Sequence, residues 1–172
     1  KYEESYPLLL KALEYGKKTN NDFMLAQICT NLLKLCSAIE SPDKIQYAQM
    51  ALKYYEKHGD PEYLLEGRTN LGIALQFSKR YEESYQLLSQ TLKEAIAAND
   101  TIPMIKSYIY LAYAETELGM LDSAIVHLSQ PKIRKNWPVF STNLDLLADI
   151  ETDLGHKEKA YEYLNEAEEL AS

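Results

Sequence analysis

The spacing of hydrophobic and polar residues along the chain is typical of helices, and no stretch shows the strict alternation of a strand bounded by turn residues. The pairs Asp60-Pro61 and Ser41-Pro42 each resemble a helix cap followed by proline at the first helical position. Four glycines stand where predicted helices should end: Gly16, Gly59, Gly119 and Gly155. We predict nine helices, over residues 3–17, 22–39, 42–58, 61–78, 81–98, 102–118, 121–130, 138–154 and 157–171.

The sequence also repeats itself. Residues 2–9 (YEESYPLL) and 81–88 (YEESYQLL) agree at seven of eight positions. A small residue followed four positions later by leucine recurs at intervals near 40 residues: Ser5/Leu9, Ala48/Leu52, Ser84/Leu88, Ala124/Leu128 and Ala160/Leu164. A second series lies between these pairs: Leu32-Leu33, Leu71-Gly72, Leu111-Ala112 and Leu147-Ala148. Because a small residue lets two helices approach closely and the leucine fills the space beside it, the series predict stacked helix pairs with a continuous core.

These motifs resemble the tetratricopeptide repeat (TPR). The clearest copy is Leu71-Gly72 followed by Tyr81-Glu82-Glu83-Ser84 and Leu88. The resemblance implies an all-α fold, a right-handed α-α superhelix forming one domain over residues 1–172, as four helix-pair repeats after a leading half repeat. Their predicted bounds are 2–18 for the half repeat and 22–58, 61–98, 102–130 and 138–171 for the pairs.

The repeat period near 39 residues exceeds the usual 34 of the family. It is similar to the longer-helix variants of bacterial regulatory and sensor proteins. HEAT and armadillo solenoids have overlapping periods. In the last three copies, however, the leucine of the leucine-small pair precedes the small residue of the next helix by 13 positions, which favours the TPR interpretation. Six residues depart from the family pattern. Arg68 stands where a large apolar residue is frequent, and Leu33 where glycine or alanine is expected. Thr91 and Pro131 stand where a late alanine is usual, and Glu115 and Glu151 where tyrosine is common.

Charge and composition exclude several classes of function. The formal net charge is −8, which disfavours binding to nucleic acid or to an anionic membrane. Charged residues interrupt every apolar run too early for a transmembrane helix. The two cysteines, Cys29 and Cys36, lie too far apart along one predicted helix to pair, which favours a reducing compartment such as the cytoplasm. Since the chain begins with Lys1 rather than methionine, we expect it to be part of a longer protein whose targeting signals are not visible.

No motif for catalysis, cofactor binding or metal binding is present in the sequence. The histidines have no spacing typical of a metal site, and the adjacent carboxylates point to different sides of a helix. The glycines are scattered singly, and no nucleophile signature occurs. We therefore expect a non-catalytic protein without a cofactor.

The resemblance implies that the first helix of each pair lines a concave surface that binds a protein or peptide. Helical phase predicts the residues of this face: Gln27, Thr30, Asn31, Lys34, Glu66, Thr69, Asn70, Ile73, Phe77, Lys106, Ile109, Tyr110, Tyr113, Thr142, Asp145 and Asp149. With only Lys34 and Lys106 as cations, the carboxylate clamp of the family's chaperone-binding members is not expected.

We take Asn31, Lys34, Asn70, Ile73, Phe77, Lys106, Tyr110 and Tyr113 as the candidate binding residues. The asparagines both donate and accept, which suits an extended peptide backbone, and the aromatic residues would seat an apolar side chain. Two alternatives stay open. Each asparagine would instead bond to a neighbouring helix, or the domain would act as a rigid spacer or oligomerisation module without a dedicated ligand.

Two further segments carry expectations. The first helix lacks a preceding partner, so we expect Tyr6, Leu10 and Leu13 to remain exposed and to promote self-association. Pro131 should end the seventh helix early. The basic residues after it, Lys132, Arg134 and Lys135 beside Trp137, are interpreted as a solvated connector, with a phosphate or acidic-partner contact as the alternative.

Overall fold

A computed structural model describes residues 2–134 and 143–171, and within them all regular secondary structure is α-helical. The helices are α1 (Tyr2–Gly16), α2 (Asp22–Ala38), α3 (Lys44–His58), α4 (Pro61–Phe77), α5 (Tyr81–Ala97), α6 (Thr101–Glu117), α7 (Leu121–Leu128), the single turn α8 (Pro131–Arg134), α9 (Leu144–Asp153) and α10 (Lys157–Ala171). The predicted helices agree with these bounds to within two residues wherever both ends can be compared. The start of the helix predicted over 138–154 lies outside the described residues.

Side-chain oxygens cap the starts of α2 and α4, whereas one predicted cap is wrong. The Asp60 carboxylate accepts a hydrogen bond from the Glu62 backbone N–H at 3.0 Å, and Pro61 opens α4 as predicted. The corresponding expectation for Ser41-Pro42 is wrong, because α3 begins only at Lys44. Ser41 Oγ instead accepts from the Asp43 backbone N–H at 3.2 Å, which closes a turn ahead of the helix.

Residues in the left-handed region recur every 19 or 20 positions from Asn20 to Gly119, with one longer interval of 36 to Gly155, and they set the repeat length. They are Asn20, Glu40, Gly59, Lys79, Asn99, Gly119 and Gly155. At Gly59 the φ angle of 81° lets the backbone N–H cap α3 by donating to the Tyr55 carbonyl oxygen. Because a similar turn follows one helix after another, a helix and its turn span about 20 residues and a pair about 40, which accounts for the long period.

Packing follows chain order, as expected for a repeat array. Consecutive helices pack together, and next-but-one contacts join α2 to α4 and α4 to α6. The core is correspondingly divided into three clusters in series, centred on Leu32 with Tyr55, on Leu88 with Leu111, and on Leu128 with Leu147. Each cluster buries surface that one helix pair alone would leave exposed.

The small-residue series marks the closest helix contacts. Ser84 is fully buried and its Oγ donates to the Gly72 carbonyl oxygen at 2.8 Å, which ties α5 to α4. A Cβ atom at Gly72 would lie 2.5 Å from Leu88 Cδ2, so only glycine fits at this separation. Ala48 and Ala124 are likewise fully buried. The predicted role of the series is thus confirmed in the interior of the array, whereas Ser5 and Leu164 are exposed.

The expected orientation of α1 is wrong. Leu13 is buried, and Tyr6 and Leu10 pack against the first core cluster rather than facing away from it. The Tyr6 hydroxyl lies 3.0 Å from the Tyr47 hydroxyl, within hydrogen-bond distance. The exposed apolar side chains of α1 are instead Leu8, 65% exposed, and Tyr15, 69% exposed. α1 therefore buries one face against its neighbours and presents the opposite face to solvent.

Two departures from the family pattern are buried glutamates with histidine partners. Glu115 and Glu151 are each 1% exposed. Glu115 Oε2 lies 2.7 Å from His127 Nδ1 in α7, and Glu151 Oε2 lies 2.7 Å from Nδ1 of His156, the residue before α10. Each histidine ties the second helix of a pair to the first, because a buried carboxylate requires a hydrogen-bond partner. Arg68 is explained in the same way, since its guanidinium pairs with Glu94 of α5.

The segment after α7 differs from the other turns. α7 ends at Leu128, as the position of Pro131 predicted, and Pro131 then opens the single turn α8. Ile133 is fully buried and anchors this turn in the third cluster, which the sequence did not predict. The side chains of the basic cluster and Trp137 lie outside the described part of the chain. None of the helices described is long and apolar enough to cross a membrane.

Candidate functional site

Two surface depressions show that α4 and α6 run parallel, side by side. The first is lined by the N-terminal ends of both helices, and the second by their C-terminal ends. We call them the acidic pocket (Glu62, Glu66, Thr69, Asp100, Ile102, Pro103, Lys106) and the aromatic pocket (Gln76, Phe77, Lys79, Tyr81, Tyr110, Tyr113). The surface that joins them is the α4–α6 face.

The aromatic pocket has a volume of about 390 Å³ and is built from rings on three helices. The rings of Phe77 and Tyr110 meet edge to face, with their centroids 6.2 Å apart. The Tyr113 ring lies one turn further along α6, its centroid 6.2 Å from that of Tyr110. Phe77 is 58% exposed although it is fully apolar, so the described part of the protein leaves most of this ring uncovered.

The tyrosine hydroxyls of the aromatic pocket stay protonated at neutral pH. Burial raises the pKa of Tyr110, and burial together with the charge of Asp145 raises the pKa of Tyr113. Burial also raises the pKa of Tyr81, assisted by the charge of Glu117 and by a hydrogen bond to that carboxylate. The pocket therefore presents neutral rings with carboxylates at its edge.

The acidic pocket has a volume of about 270 Å³ and a different character. Glu62 and Glu66 come from α4, and Asp100 and Lys106 come from the start of α6. Ile102 is 68% exposed beside them. The pocket thus combines three carboxylates and one ammonium group with an apolar wall.

The structure brings together some of the predicted binding residues and separates others. Phe77, Tyr110 and Tyr113 share the aromatic pocket, and Lys106 lines the acidic pocket. The others line neither depression: Asn31 and Lys34 are exposed on α2, and Asn70 and Ile73 are partly exposed on α4 between the two pockets. Asp145 and Asp149 are exposed on α9, and Thr142 lies outside the described residues.

Two residues assigned to the open face are buried. Thr30 and Thr69 are 2% and 1% exposed. Thr69 Oγ1 donates to the Leu65 carbonyl oxygen at 2.8 Å, and Thr30 Oγ1 lies 3.4 Å from the hydroxyl of the buried Tyr55. These threonines support the helix packing rather than a ligand, although Thr69 also reaches the floor of the acidic pocket.

The asparagines that follow these threonines point outward. Asn31 is exposed and Asn70 is partly exposed. Within the residues that the structure describes, no hydrogen bond joins either side-chain amide to another helix. Both amides are thus open to contacts outside the helix stack.

Sequence reasoning missed several residues that form the two pockets. Gln76, Lys79 and Tyr81 line the aromatic pocket, although Tyr81 entered the sequence prediction only as part of the repeat motif. Gln76 lies one helical turn after Ile73 and next to Phe77. Its position on the same side of α4 as Ile73 would have been enough to predict it as a residue of this face. Lys79 and Tyr81 belong to the turn and to the start of the next helix, so the phase of α4 gives no information on them.

The described residues hold no group of three or more His, Cys, Asp or Glu side chains that could bind a metal ion. Cys29 is buried, and burial raises the pKa of its thiol to about 11. Such a thiol is a weak nucleophile at neutral pH. The α4–α6 face itself presents rings, amides and carboxylates.

Comparison with known proteins supports the fold. No family model matches the sequence, and no curated protein is significantly similar to it. Solved structures do match. A kinesin light chain-like protein from Podosopora anserina with nearly identical TPR-like repeats has a TM-score of 0.77 and 17% sequence identity, over 99% of this chain and 87% of that one. A variant of the same protein has a TM-score of 0.80, also at 17% identity, over 98% of this chain and 86% of that one.

BtubC (BKLC) from P. vanneervenii is similar as well, with a TM-score of 0.82 at 17% identity. The match covers 99% of this chain and 73% of that protein. Both proteins match over nearly the whole of this chain, at an identity that identifies the architecture alone. The fold predicted from the repeat motifs is thereby confirmed, and the chain has the fold of a TPR-like repeat solenoid.

Proposed function

We propose that this chain is a protein-interaction module that binds an extended segment of a partner protein on its α4–α6 face. The aromatic pocket carries this proposal, since it joins three of the residues predicted to contact a ligand and leaves the Phe77 ring mostly exposed. Covering exposed apolar surface is favourable by about 25 cal/mol per Å², so a partner side chain seated on this ring would contribute to affinity.

The residues between the two pockets support an extended ligand. Asn70 lies on α4 between the aromatic pocket and the acidic pocket, and its amide makes no hydrogen bond to the described neighbouring helices. An amide both donates and accepts, so it can pair with a peptide N–H and C=O together. Ile73, one turn further along the helix, offers an apolar contact beside it. Asn31 and Lys34 on α2 would extend the same contact surface towards the N-terminus.

Selection of peptides from an unbiased random library on the full chain tests this function. The selected peptides are then measured against Phe77→Ala and Asn70→Ala. Each variant should weaken binding by about 1–3 kcal/mol, the cost of an unpaired or uncovered group, while the thermal midpoint barely moves. Tyr161→Ala is the matched control, because Tyr161 is 67% exposed on α10, away from both pockets.

Two outcomes would contradict the proposal. Selected peptides that bind all three variants equally would place their site elsewhere. Recovery of no peptide at all would favour a rigid spacer or an oligomerisation module. Early melting of Asn70→Ala would instead assign its amide to the helix stack, and the Phe77→Ala result would then decide the role of the face.

The same binding face suits an independent adaptor as well as the regulatory or sensor part of a larger protein. Sequencing the gene beyond residues 1 and 172 distinguishes these arrangements. A neighbouring output domain, such as a kinase or a DNA-binding domain, would favour the regulatory role. A reading frame without one would favour the adaptor.

A further inference from the structure

We propose that the partner segment carries a basic side chain four or five residues away from an aromatic or large apolar side chain. This inference rests on the function proposed above and specifies the chemistry of its ligand. The basic side chain would enter the acidic pocket, while the aromatic one would enter the aromatic pocket.

Charge complementarity favours the basic side chain. Glu62, Glu66 and Asp100 place three carboxylates around the acidic pocket, against the single ammonium group of Lys106. No ion pair within 4 Å joins Lys106 to any of these carboxylates in the described structure. A lysine or arginine entering the pocket would meet unneutralised carboxylates. Its methylene groups would pack on the apolar wall that Ile102 and Pro103 supply.

The aromatic pocket favours an apolar occupant with a polar backbone. Its walls are the rings described above, which pack well against another ring in an edge-to-face or offset arrangement. Gln76 adds a hydrogen-bonding group, because its Oε1 is buried and has no partner among the described residues. A small rotation of this side chain would let it accept from a backbone N–H of the bound segment, which would satisfy an otherwise orphaned acceptor.

The spacing follows from helix geometry. On α4, the residues that line the acidic pocket are centred near Glu66, and those that line the aromatic pocket are centred near Gln76-Phe77, about 11 positions later. On α6, the centres of the two sets of lining residues are about eight positions apart. At about 1.5 Å per helical residue the pockets lie roughly 12–16 Å apart. An extended chain advances about 3.3 Å per residue, so the distance corresponds to about four or five residues. Asn70 and Ile73 lie along this path, where they would contact the backbone between the two anchors.

Synthetic peptides test the inference directly. The probe is acetyl-Arg-Gly-Ser-Gly-Ser-Trp-amide, together with the peptide of reversed order, since the direction of the bound chain is not fixed by the pockets. Three comparison peptides replace arginine by the uncharged citrulline, replace tryptophan by alanine, or shorten the spacer to one glycine. Affinity is measured by NMR titration of the full chain. Of the two probes, the one whose residue order binds more tightly should exceed the affinity of each comparison peptide by at least about ten-fold.

Variants of the protein locate the two anchors. Glu66→Lys should weaken binding of the arginine probe about ten-fold or more and should leave the citrulline peptide unaffected. Glu56→Lys, an exposed position on α3, is the matched charge control. Tyr110→Ala should reduce binding of the tryptophan probes, with Phe77→Ala as a second variant, since Phe77 is 58% exposed and its removal is expected to leave the fold intact. Tyr161→Ala is the control for both.

The possible failures are distinguishable. Equal affinity for arginine and citrulline peptides, or preference for a glutamate peptide, would overturn the inference. If library-selected peptides without a basic residue lose affinity with Phe77→Ala, the interaction function stands and only the predicted ligand chemistry is wrong. If neither the probes nor the selected peptides respond to the face variants, both proposals are wrong.

Discussion

The close approach of α4 and α5 at Gly72 gives the sharpest test of the repeat packing. A Cβ atom at Gly72 would lie 2.5 Å from Leu88 Cδ2 and 2.6 Å from Leu88 Cγ. Leu88 is fully buried, so its side chain has no free space into which to rotate. The hydrogen bond from Ser84 Oγ to the Gly72 carbonyl oxygen holds the helices at this separation. We therefore expect Gly72→Ala to destabilise the protein.

The magnitude combines two opposing terms. Overpacking a well-packed core costs about 1–3 kcal/mol. We expect a value near the upper end here, because the added Cβ also meets Leu88 Cγ, a branch point that rotation of the terminal methyl groups does not move. Alanine favours the helix over glycine by about 1 kcal/mol. The net loss in the free energy of unfolding should then be about 2 kcal/mol. Leu88→Ala alone should cost about 2–5 kcal/mol and should remove the clash.

The assay is a double-mutant cycle of the two substitutions, followed by urea unfolding and far-UV circular dichroism. In the Leu88→Ala background, Gly72→Ala should be neutral or stabilising by up to about 1 kcal/mol, which gives a coupling energy of about 2–3 kcal/mol. Gln49→Ala compared with Gln49→Gly, at an exposed position of α3, measures the helix-propensity term separately. An equal loss in both backgrounds, or no loss in either, would refute the packing argument.

Three other outcomes follow from the structure. Because burial raises the pKa of Cys29 from about 9 to about 11, the unfolded chain releases a proton between these pH values that the folded chain keeps. The free energy of unfolding should therefore fall as the pH rises through this window, and Cys29→Ala should lessen the fall by up to about 3 kcal/mol. Parallel pH profiles of the free energy of unfolding for the variant and the unmodified chain would contradict this. Ser107 Oγ is buried and has no hydrogen-bond partner in the described region, so Ser107→Ala should be neutral or slightly stabilising in urea unfolding, and a loss above about 1 kcal/mol would be inconsistent with this. If the apolar face of α1 mediates self-association, sedimentation velocity should show concentration-dependent association that Leu8→Lys reduces, whereas a monomer at every concentration argues against it.

Several structural features depend on residues close together in the sequence, and these were predictable. Helix bounds follow from caps, glycines and periodicity, which act within one or two turns, so most predicted ends lie within two residues of those observed. The repeat series also predicted a close helix contact at Ser84 and Leu88, which lie one turn apart, and the structure places this contact against Gly72 of the preceding helix. Phe77, Tyr110 and Tyr113 were predicted together because helices of equal length in equal repeats bring equal phases to one face.

The remaining features depend on how far each helix is rotated against its neighbours, which only the tertiary structure decides. Each residue advances the direction of the side chain by about 100° around the helix axis. A small error in the predicted rotation of α4 is therefore enough to assign the buried Thr69 to the open face beside Asn70. The same error reversed the predicted orientation of Leu13 in α1.

Partners from different elements are decided in the same way. His127 meets Glu115 from the next helix, and Tyr81 reaches the aromatic pocket from the start of α5. No local pattern records these contacts, because they form only when the turns set the distance and angle between helices. The sequence by itself thus determined the helices, their repeat and their close-packed seams. The tertiary structure decided which sides of those helices are buried and which meet at the α4–α6 face.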